Sequence, residues 1–291
     1  MRTFVALLLL FALAAANADI LVRDDGGAQV RLPAPARRVV SLAPHITEDM
    51  FAIGAGDRLV GTVEFSNYPE AAKSVRRIGS YAQADLEAIA ALKPDLVVAW
   101  QSGNAPAQVE KLRTLGIPVY VTQPDRIEDV AGILERLGEL TGASAAKAAA
   151  AAFRERLASL RSRYGSRPKV RTFYQVWHEP LMTVGGRQII SDAIRLCGGE
   201  NVFGQLENLA PTVNEEAVIA ADPEAIVASG MDEARPEWLD RWRRWQSLTA
   251  VARGNLFFVP PDIIQRHTPR LLDGAEMLCR HLETARQRRP R

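Results

Sequence analysis

The side chains able to do chemistry in this chain are few and scattered. Its four histidines stand at positions 45, 178, 267 and 281, too far apart to form a local metal motif. His178-Glu179 is followed by Pro180, which prevents the helical ligand pair that an H-E-x-x-H site needs. There is no G-x-S-x-G elbow and no G-x-x-x-x-G-K-[ST] phosphate loop. Gly54-Ala-Gly56 lacks a third glycine and leads into a strand-like run rather than out of one, the wrong order for a dinucleotide turn. Hydrolytic and nucleotide chemistry have no motif to carry them, and no shared metal site is expected. A two-lobed α/β enzyme is the minor reading. What remains is binding.

The elements that would position binding residues are legible as short apolar runs bounded by Gly, Pro or charge. Val39–Leu42, Leu59–Val63, Leu96–Trp100 and Pro118–Val121 read as buried parallel strands. Val170–Trp177, Val202–Phe203, Ala225–Ser229 and Leu256–Val259 repeat the series in the second half. Helix-period stretches such as Gln108–Leu115 and Ile127–Leu140 lie between them. The two halves also resemble each other directly. Glu87 onward (EAIAALKPDLVVA) matches Glu216 onward (EAVIAADPEAIVA) at an offset of 129. Asp49–Gly61 matches Asp192–Gly204 at an offset of 143, and Gly116–Val121 pairs with Gly254–Val259. Three blocks in one order imply a duplicated α/β unit.

Between the halves, Ser144–Tyr164 is rich in alanine and free of Gly and Pro, with Phe153, Leu157, Leu160 and Tyr164 on one helix face. It predicts a single helix of roughly 30 Å. The expected fold class is therefore α/β: two Rossmann-like lobes with parallel sheets, a connecting backbone helix and a ligand cleft between the lobes. The expected division is 19–142 for the first lobe, 143–166 for the connector and 167–291 for the second. A stiff connector limits hinge motion and predicts a cleft already nearly formed without ligand.

Ligands of open α/β sheets bind beyond the carboxyl ends of the strands. The residues there are Pro44 to Thr47, Phe65 to Tyr68, Ser80-Tyr81, Trp100-Gln101-Ser102-Gly103, Trp177 to Thr183, Gly230-Met231 and Asp262 to His267. They are aromatic and neutral-polar, with Arg266 and histidines 45, 178 and 267 added. Such a lining suits a large, partly apolar, amide-bearing molecule. Trp100 and Trp177 have core packing as their alternative reading. Glu87 and Glu216 occupy the same place in the repeat, each near a helix start and seven residues before a proline. The helix dipole alone favours a carboxylate there by about 0.3–1 kcal/mol. Alternatively, a matched pair of charges, one per lobe, gives a docking partner two handles. Symmetry leaves both readings open, and Glu215 is a neighbouring candidate.

Composition adds boundaries. Of 291 residues, 36 are basic and 34 acidic, a balance that gives no field for nucleic acid or an acidic membrane surface. The basic cluster Arg286–Arg291 reads as a solvated tail. Residues 1–18 combine Arg2, the apolar run Phe4–Ala16 and Ala16-Asn17-Ala18, the pattern of a cleaved secretory leader. In an exported chain the two cysteines, Cys197 and Cys279, form one disulfide.

With these residues on the page, the sequence resembles a periplasmic substrate-binding protein of an ABC importer, of the helical-backbone type that serves cobalamin, haem, ferric siderophores and metals. The resemblance spans nearly all of 19–291. It rests on Val39-Val-Ser-Leu-Ala-Pro44 with Thr47-Glu48, Asp85-Leu-Glu-Ala-Ile89, Leu92-Lys-Pro-Asp-Leu-Val-Val-Ala-Trp100, Ser102-Gly-Asn104, Cys197-Gly-Gly-Glu-Asn201, and Arg266 with Thr268-Pro-Arg270. Trp100-x-x-Gly-Asn104 and the cysteine pair point to the cobalamin branch. The resemblance implies corrinoid contacts at Pro44, Trp100, Gln101, Ser102, Gly103 and Arg266. Phe65, Tyr81, Met182, Ala210 and Ile263 stand where other members carry rings. It further implies permease docking through Glu87 and Glu216, a Cys197–Cys279 bridge, and a periplasmic monomer. Its partners would be an inner-membrane permease dimer with ATPase subunits, its cargo a corrinoid, with no cofactor and no covalent chemistry. A haem carrier, using Tyr81 as ligand, or a ferric-siderophore carrier are the alternatives within the family.

Overall fold

Burial decides which apolar runs become strands, and the computed structural model, which describes residues 19–230 and 234–290, shows the outcome. The expected leader and Met231 lie outside the described residues. Strands β1 (Ile20–Arg23) and β2 (Gln29–Leu32) form a hairpin. Strands β3 (Val39–Ser41), β4 (Leu59–Thr62), β5 (Leu96–Trp100) and β6 (Val119–Thr122) make a parallel sheet ordered β4-β3-β5-β6. Helices α1 (Pro44–Ala52), α2 (Leu86–Ala91), α3 (Pro106–Thr114) and α4 (Ile127–Thr141) connect its strands, and the alanine-rich α5 (Ala146–Tyr164) follows unbroken. The second lobe carries β7 (Val170–Gln175), a short pair β8 (Trp177–His178) and β9 (Leu181–Met182), β10 (Gly199–Asn201), β11 (Ala225–Ala228) and β12 (Leu256–Phe258). Its parallel sheet is ordered β10-β7-β11-β12. Helices α6 (Ile189–Leu196), α7 (Glu215–Ala221), α8 (Thr249–Ala252), α9 (Pro261–Ile264) and α10 (Leu271–Gln287) complete it. No helix of the described residues is long and apolar enough to cross a membrane.

Both sheets place their second strand outermost beside the first, then the third and fourth, so the internal repeat is a repeat of topology. It reaches the backbone. Lys93 and Asp222, equivalent at the offset of 129, are two of the three non-glycine residues with positive φ among the described residues (44° and 37°). Beside them Asp95 accepts the Arg38 amide at 3.0 Å and Glu224 the Arg171 amide at 3.3 Å. The Arg38 guanidinium bonds the Leu92 carbonyl, and that of Arg171 the equivalent Ala221 carbonyl. One polar joint, built twice, turns helix into strand in each lobe.

The copies differ in one place the repeat misplaces. Val202–Phe203 was expected as a strand, but β10 lies three residues earlier. In the first lobe a 3-10 turn, Gly56–Arg58, separates α1 from β4. In the second, left-handed Gly198 (φ 66°) passes directly into β10, and Phe203 becomes a core residue.

Strand alternation sorts each sheet's side chains between two cores. Val39, Leu96, Val98 and Tyr120 share one core with Val170, Tyr174, Ala225 and Val227 of the other lobe. Phe153, Leu157, Leu160 and Tyr164 of α5 lie in the same core. The opposite faces bury Val40, Val97 and Ala99 in the first lobe and Phe173, Ile226 and Ala228 in the second. Helix α5 is thus the middle layer of a continuous core. Cys197 and Cys279 are joined, tying the end of α6 to α10. Within the expected solvated tail, whose last residue, Arg291, lies outside the described residues, three arginines bond the protein. Arg286 donates to the carbonyls of Pro168 and Cys197 (both 2.7 Å), Arg288 to that of Gly254 (2.6 Å), and Arg289 to Glu224 (2.8 and 2.9 Å). Helix ends leave carbonyls without partners, and Arg286 satisfies that of Cys197, the C-cap of α6.

Candidate functional site

The carboxyl ends of the two sheets face one another across a seam. Trp100 ends β5, Gln123 follows β6, Val176 follows β7, and Gln265 and His267 follow α9; all line one cavity. Trp100 is set by a local device. Asn104, buried, accepts the Trp100 amide at 2.6 Å and donates to the carbonyls of Leu42 (2.9 Å) and Tyr81 (2.7 Å). Gly103 lies under the indole: a Cβ there would fall 1.8 Å from the Trp100 ring. The W-x-x-G-N motif therefore works as a mount for one indole, and Asn104 is a functional residue that the sequence reading left out of the site.

Around Trp100 the aromatic groups converge from both lobes. His45 of α1 lies 5.2 Å from its ring and His267 of the second lobe 5.6 Å; the two imidazoles are 4.9 Å apart. Tyr81 extends the surface outward at 6.3 Å. Burial keeps both imidazoles neutral. It holds His45 well below the ordinary histidine range, helped by the neighbouring His267 and Arg266, and pushes His267 down to about 4. Imidazole Nε2 of His45, Nδ1 of His267 and Nε1 of Trp100 make no hydrogen bond among the described residues. Buried polar atoms normally have a partner, so three together mark a surface built to meet something else.

The cavity measures about 220 Å³. That is below the roughly 300–1,000 Å³ of ordinary small-molecule sites. The expectation of a nearly formed cleft is therefore not met. The stiff connector fixes one edge of the seam, but polar contacts draw the other edge together. Arg187 of the second lobe pairs with Asp125 of the first at 3.0 Å. Arg187 is 72 % exposed, so this pair adds little stability. The turn carrying Arg187 was missed by the sequence reading, although Gly185-Gly186 signals it. A Cβ at either glycine would sit 2.0 Å from the carbonyl oxygen of Asn208 or Gly204.

Other expected site residues fall in varied places. Pro44 is half-buried at the first turn of α1. Ser102 lines the cavity, but the backbone donors expected to face cargo are used internally. The Gln101 amide bonds Thr122 O (3.0 Å), that of Ser102 the Gln123 side chain (3.1 Å), and that of Gly103 Trp100 O (3.2 Å). Phe65 and Tyr81 are exposed (68 % and 40 %) and form, with Tyr68, an aromatic rim. Met182 is half-buried in β9 opposite Trp177 of β8. Ala210 lines the cavity, whereas Ile263 packs against the shared core. His178 is held between Trp177 and Trp238, 4.8 and 5.5 Å away, and is not among the cavity-lining residues. Arg266, buried, is occupied by protein partners: it donates to Glu48 (2.6 Å), Asn67 (2.7 Å) and the Phe65 carbonyl (3.1 Å) and pairs with Asp262 (2.9 Å). Among the described residues no cluster of three or more His, Cys, Asp or Glu side chains could hold a metal ion.

The glutamate pair is symmetric in detail. Asp85 caps α2 by accepting the Ala88 amide, Asn214 caps α7 by accepting the Ala217 amide, both at 2.9 Å, and Glu87 and Glu216 are the second residue of each helix. Both are exposed and make no ion pair among the described residues. Glu215, the neighbouring candidate, is occupied by Arg244 and the Trp245 indole.

Comparison with known proteins agrees with this architecture. A profile of the family described as periplasmic binding protein matches residues 39–263. The vitamin B12-binding protein of Vibrio parahaemolyticus is 38 % identical over 259 residues, covering 88 % of this chain and 92 % of the relative. That of Vibrio campbellii is 37 % identical over 257 residues, with the same coverage. The crystal structure of the periplasmic vitamin B12-binding protein BtuF of Vibrio cholerae superimposes with a TM-score of 0.81 at 36 % identity, covering 87 % of this chain and 99 % of that one.

Proposed function

The chain belongs to the periplasmic binding protein family, and on that premise we propose that it is the solute-binding component of an ABC importer, carrying cobalamin or another corrinoid. The observation that carries the reading is the aromatic seam. Trp100, His45 and His267 meet from opposite lobes, with Tyr81 and Phe65 at the rim, and flat apolar faces with a few unpartnered polar atoms suit a broad macrocycle edged with amides. A corrinoid is several times larger than the present cavity, so capture requires the lobes to part on the cleft side. The carrier does no covalent chemistry; the corrinoid is cargo.

The proposal divides the chain into a cleaved leader (1–18), a first lobe (19–142), a connector (143–166) and a second lobe (167–291). The mature carrier acts as a periplasmic monomer. Glu87 and Glu216, exposed at matching positions, serve as paired handles for a permease dimer bearing ATPase subunits. Rim charges steer docking without contributing to the cargo site, which fits their placement outside the cavity lining.

Titration of tryptophan emission tests the cargo. Cyanocobalamin is expected to quench it with a tight one-to-one equivalence point. Saturable quenching by haemin with none by cyanocobalamin would overturn the corrinoid reading and leave the haem carrier in its place.

A further inference from the structure

Glu48 belongs to α1 of the first lobe, and its side chain is 2 % exposed. It accepts Arg266 Nη1 at 2.6 Å and both Nε and Nη2 of Arg270, at 2.9 and 2.8 Å. Both arginines come from the second lobe. They also reach past Glu48 to the segment 65–68. The Arg266 guanidinium donates to Phe65 O and Asn67 Oδ1, and that of Arg270 lies 3.7 Å over the Tyr68 ring. Asp262, paired with Arg266, leaves two arginines facing two carboxylates.

We propose that Glu48, Arg266 and Arg270 form a clasp across the cleft that positions the aromatic lip Phe65–Tyr68 for cargo capture. The clasp makes Glu48 and Arg270 positioning residues although neither lines the cavity. The proposal rests on the carrier reading. Three features separate this clasp from general support of the fold. The lobes are already joined on the far side, where α5 packs on α4 and α10 and the Ile127 amide of α4 donates to Asp192 of α6 at 3.0 Å. The lip has little burial of its own to hold it: Phe65 and Tyr68 are 68 % and 46 % exposed. Phe65 also has a φ of 62°, a conformation a bulky residue keeps only where surrounding contacts impose it. Those contacts include Arg266 on its carbonyl and the anchoring of Ser66, whose carbonyl accepts the Arg77 guanidinium and whose hydroxyl accepts from Thr62, both at 2.7 Å. Removing the buried carboxylate would leave Arg270 with no carboxylate among the described residues and Arg266 with Asp262 alone, and so release the lip.

The test reads amide hydrogen exchange over residues 64–68 and the dissociation rate of cyanocobalamin in the full mature protein. Glu48→Gln, Arg270→Lys and Tyr68→Leu should each speed lip exchange and cargo loss tenfold or more, with the amides of α5 unchanged. Tyr68→Phe keeps the ring under Arg270 and should match the parent. A folded Glu48→Gln protein with both rates within twofold of the parent would overturn the clasp, as would equal damage from Tyr68→Phe and Tyr68→Leu. If Glu48→Gln does not fold, Tyr68→Leu and Arg270→Lys decide by the same criteria. If the parent does not bind cyanocobalamin, the corrinoid reading fails, and exchange at the lip still decides whether the clasp orders it.

Discussion

The lobes of this carrier meet along two edges of opposite character. On the connector side, α5 lies in a core shared by both sheets, the Cys197–Cys279 bridge ties α6 to α10, and the contacts are apolar and closed. On the cleft side lie a buried charge cluster, a solvated ion pair, and imidazole and indole nitrogens without partners among the described residues. Burying apolar surface contributes roughly 25 cal/mol per Å², whereas unpartnered buried polar atoms cost free energy. Stability is therefore concentrated on one edge, and the other is left able to part and to bind.

The largest expected effects lie on the connector edge. Phe153→Ala should cost about 3–5 kcal/mol and unfold both lobes in one transition, since Phe153 sits in the core they share. Separate melting of the lobes in calorimetry would show that the core is not common to both. Replacing both cysteines by serine should cost roughly 4 kcal/mol from the loop of 82 positions, with cyanocobalamin affinity retained in the protein that remains folded. Loss of affinity there would mean the bridge shapes the cleft.

On the cleft edge the order reverses. Trp100→Ala should lower cyanocobalamin affinity at least tenfold, about 1.4 kcal/mol, while moving the urea midpoint little, because the indole is only half-buried. Unchanged affinity would mean that the cargo sits elsewhere. The same edge should carry pH sensitivity. His267 titrates near 4 in the folded protein, against about 6.5 when unfolded. Between those values the unfolded chain binds a proton that the folded chain refuses. Stability therefore falls as pH drops from 6.5 to 4, by up to about 1.4 kcal/mol per unit for each such histidine. Buried His45 acts in the same direction. Asp49, whose carboxyl burial raises well above its usual range, opposes them by favouring the folded state at low pH. Urea midpoints between pH 4 and 6.5 should slope less in His267→Gln than in the parent; parallel slopes would place the titration elsewhere.

The contrast between the edges also explains what could be read from sequence. Apolar periodicity and the duplicated blocks foretold both sheets, since buried strands must be apolar whatever they later bind. Trp100 was a cleft candidate from its place at a strand's carboxyl end, with core packing left open as its alternative, and the x-x-Gly-Asn after it carried the resemblance to the cobalamin branch. The protein partners of Arg266 were not legible: nothing local to Arg266 announces that Glu48, more than two hundred positions away, faces it. The engagement of the Gln101–Gly103 amides was equally hidden, since Thr122 of the neighbouring strand takes the first, the Gln123 side chain the second and a local turn to the Trp100 carbonyl the third. The shift of β10 was hidden because Gly199 and Gly56 occupy equivalent places in the repeat, and only the backbone shows that the first opens a strand and the second a 3-10 turn.

The smallest expected effect on the protein itself is at its surface. Glu87→Lys with Glu216→Lys should leave stability within about 0.5 kcal/mol and cyanocobalamin affinity unchanged, because both side chains are exposed and neither lines the cavity. The helix dipole favours a carboxylate in the first turn only modestly, and the Asp85 and Asn214 caps remain to hold the helix starts. Uptake through a permease reconstituted in vesicles should nonetheless be abolished, and either single reversal should fall between, since two handles fix orientation and one does not. Reversal of Glu215 is the internal control: its carboxylate is engaged by Arg244 and Trp245, so its loss should disturb local packing more and docking less. If the Glu215 variant abolished uptake and the Glu87 and Glu216 pair did not, the symmetry of the two helix starts would be a relic of duplication, and the docking face would lie elsewhere on the lobes.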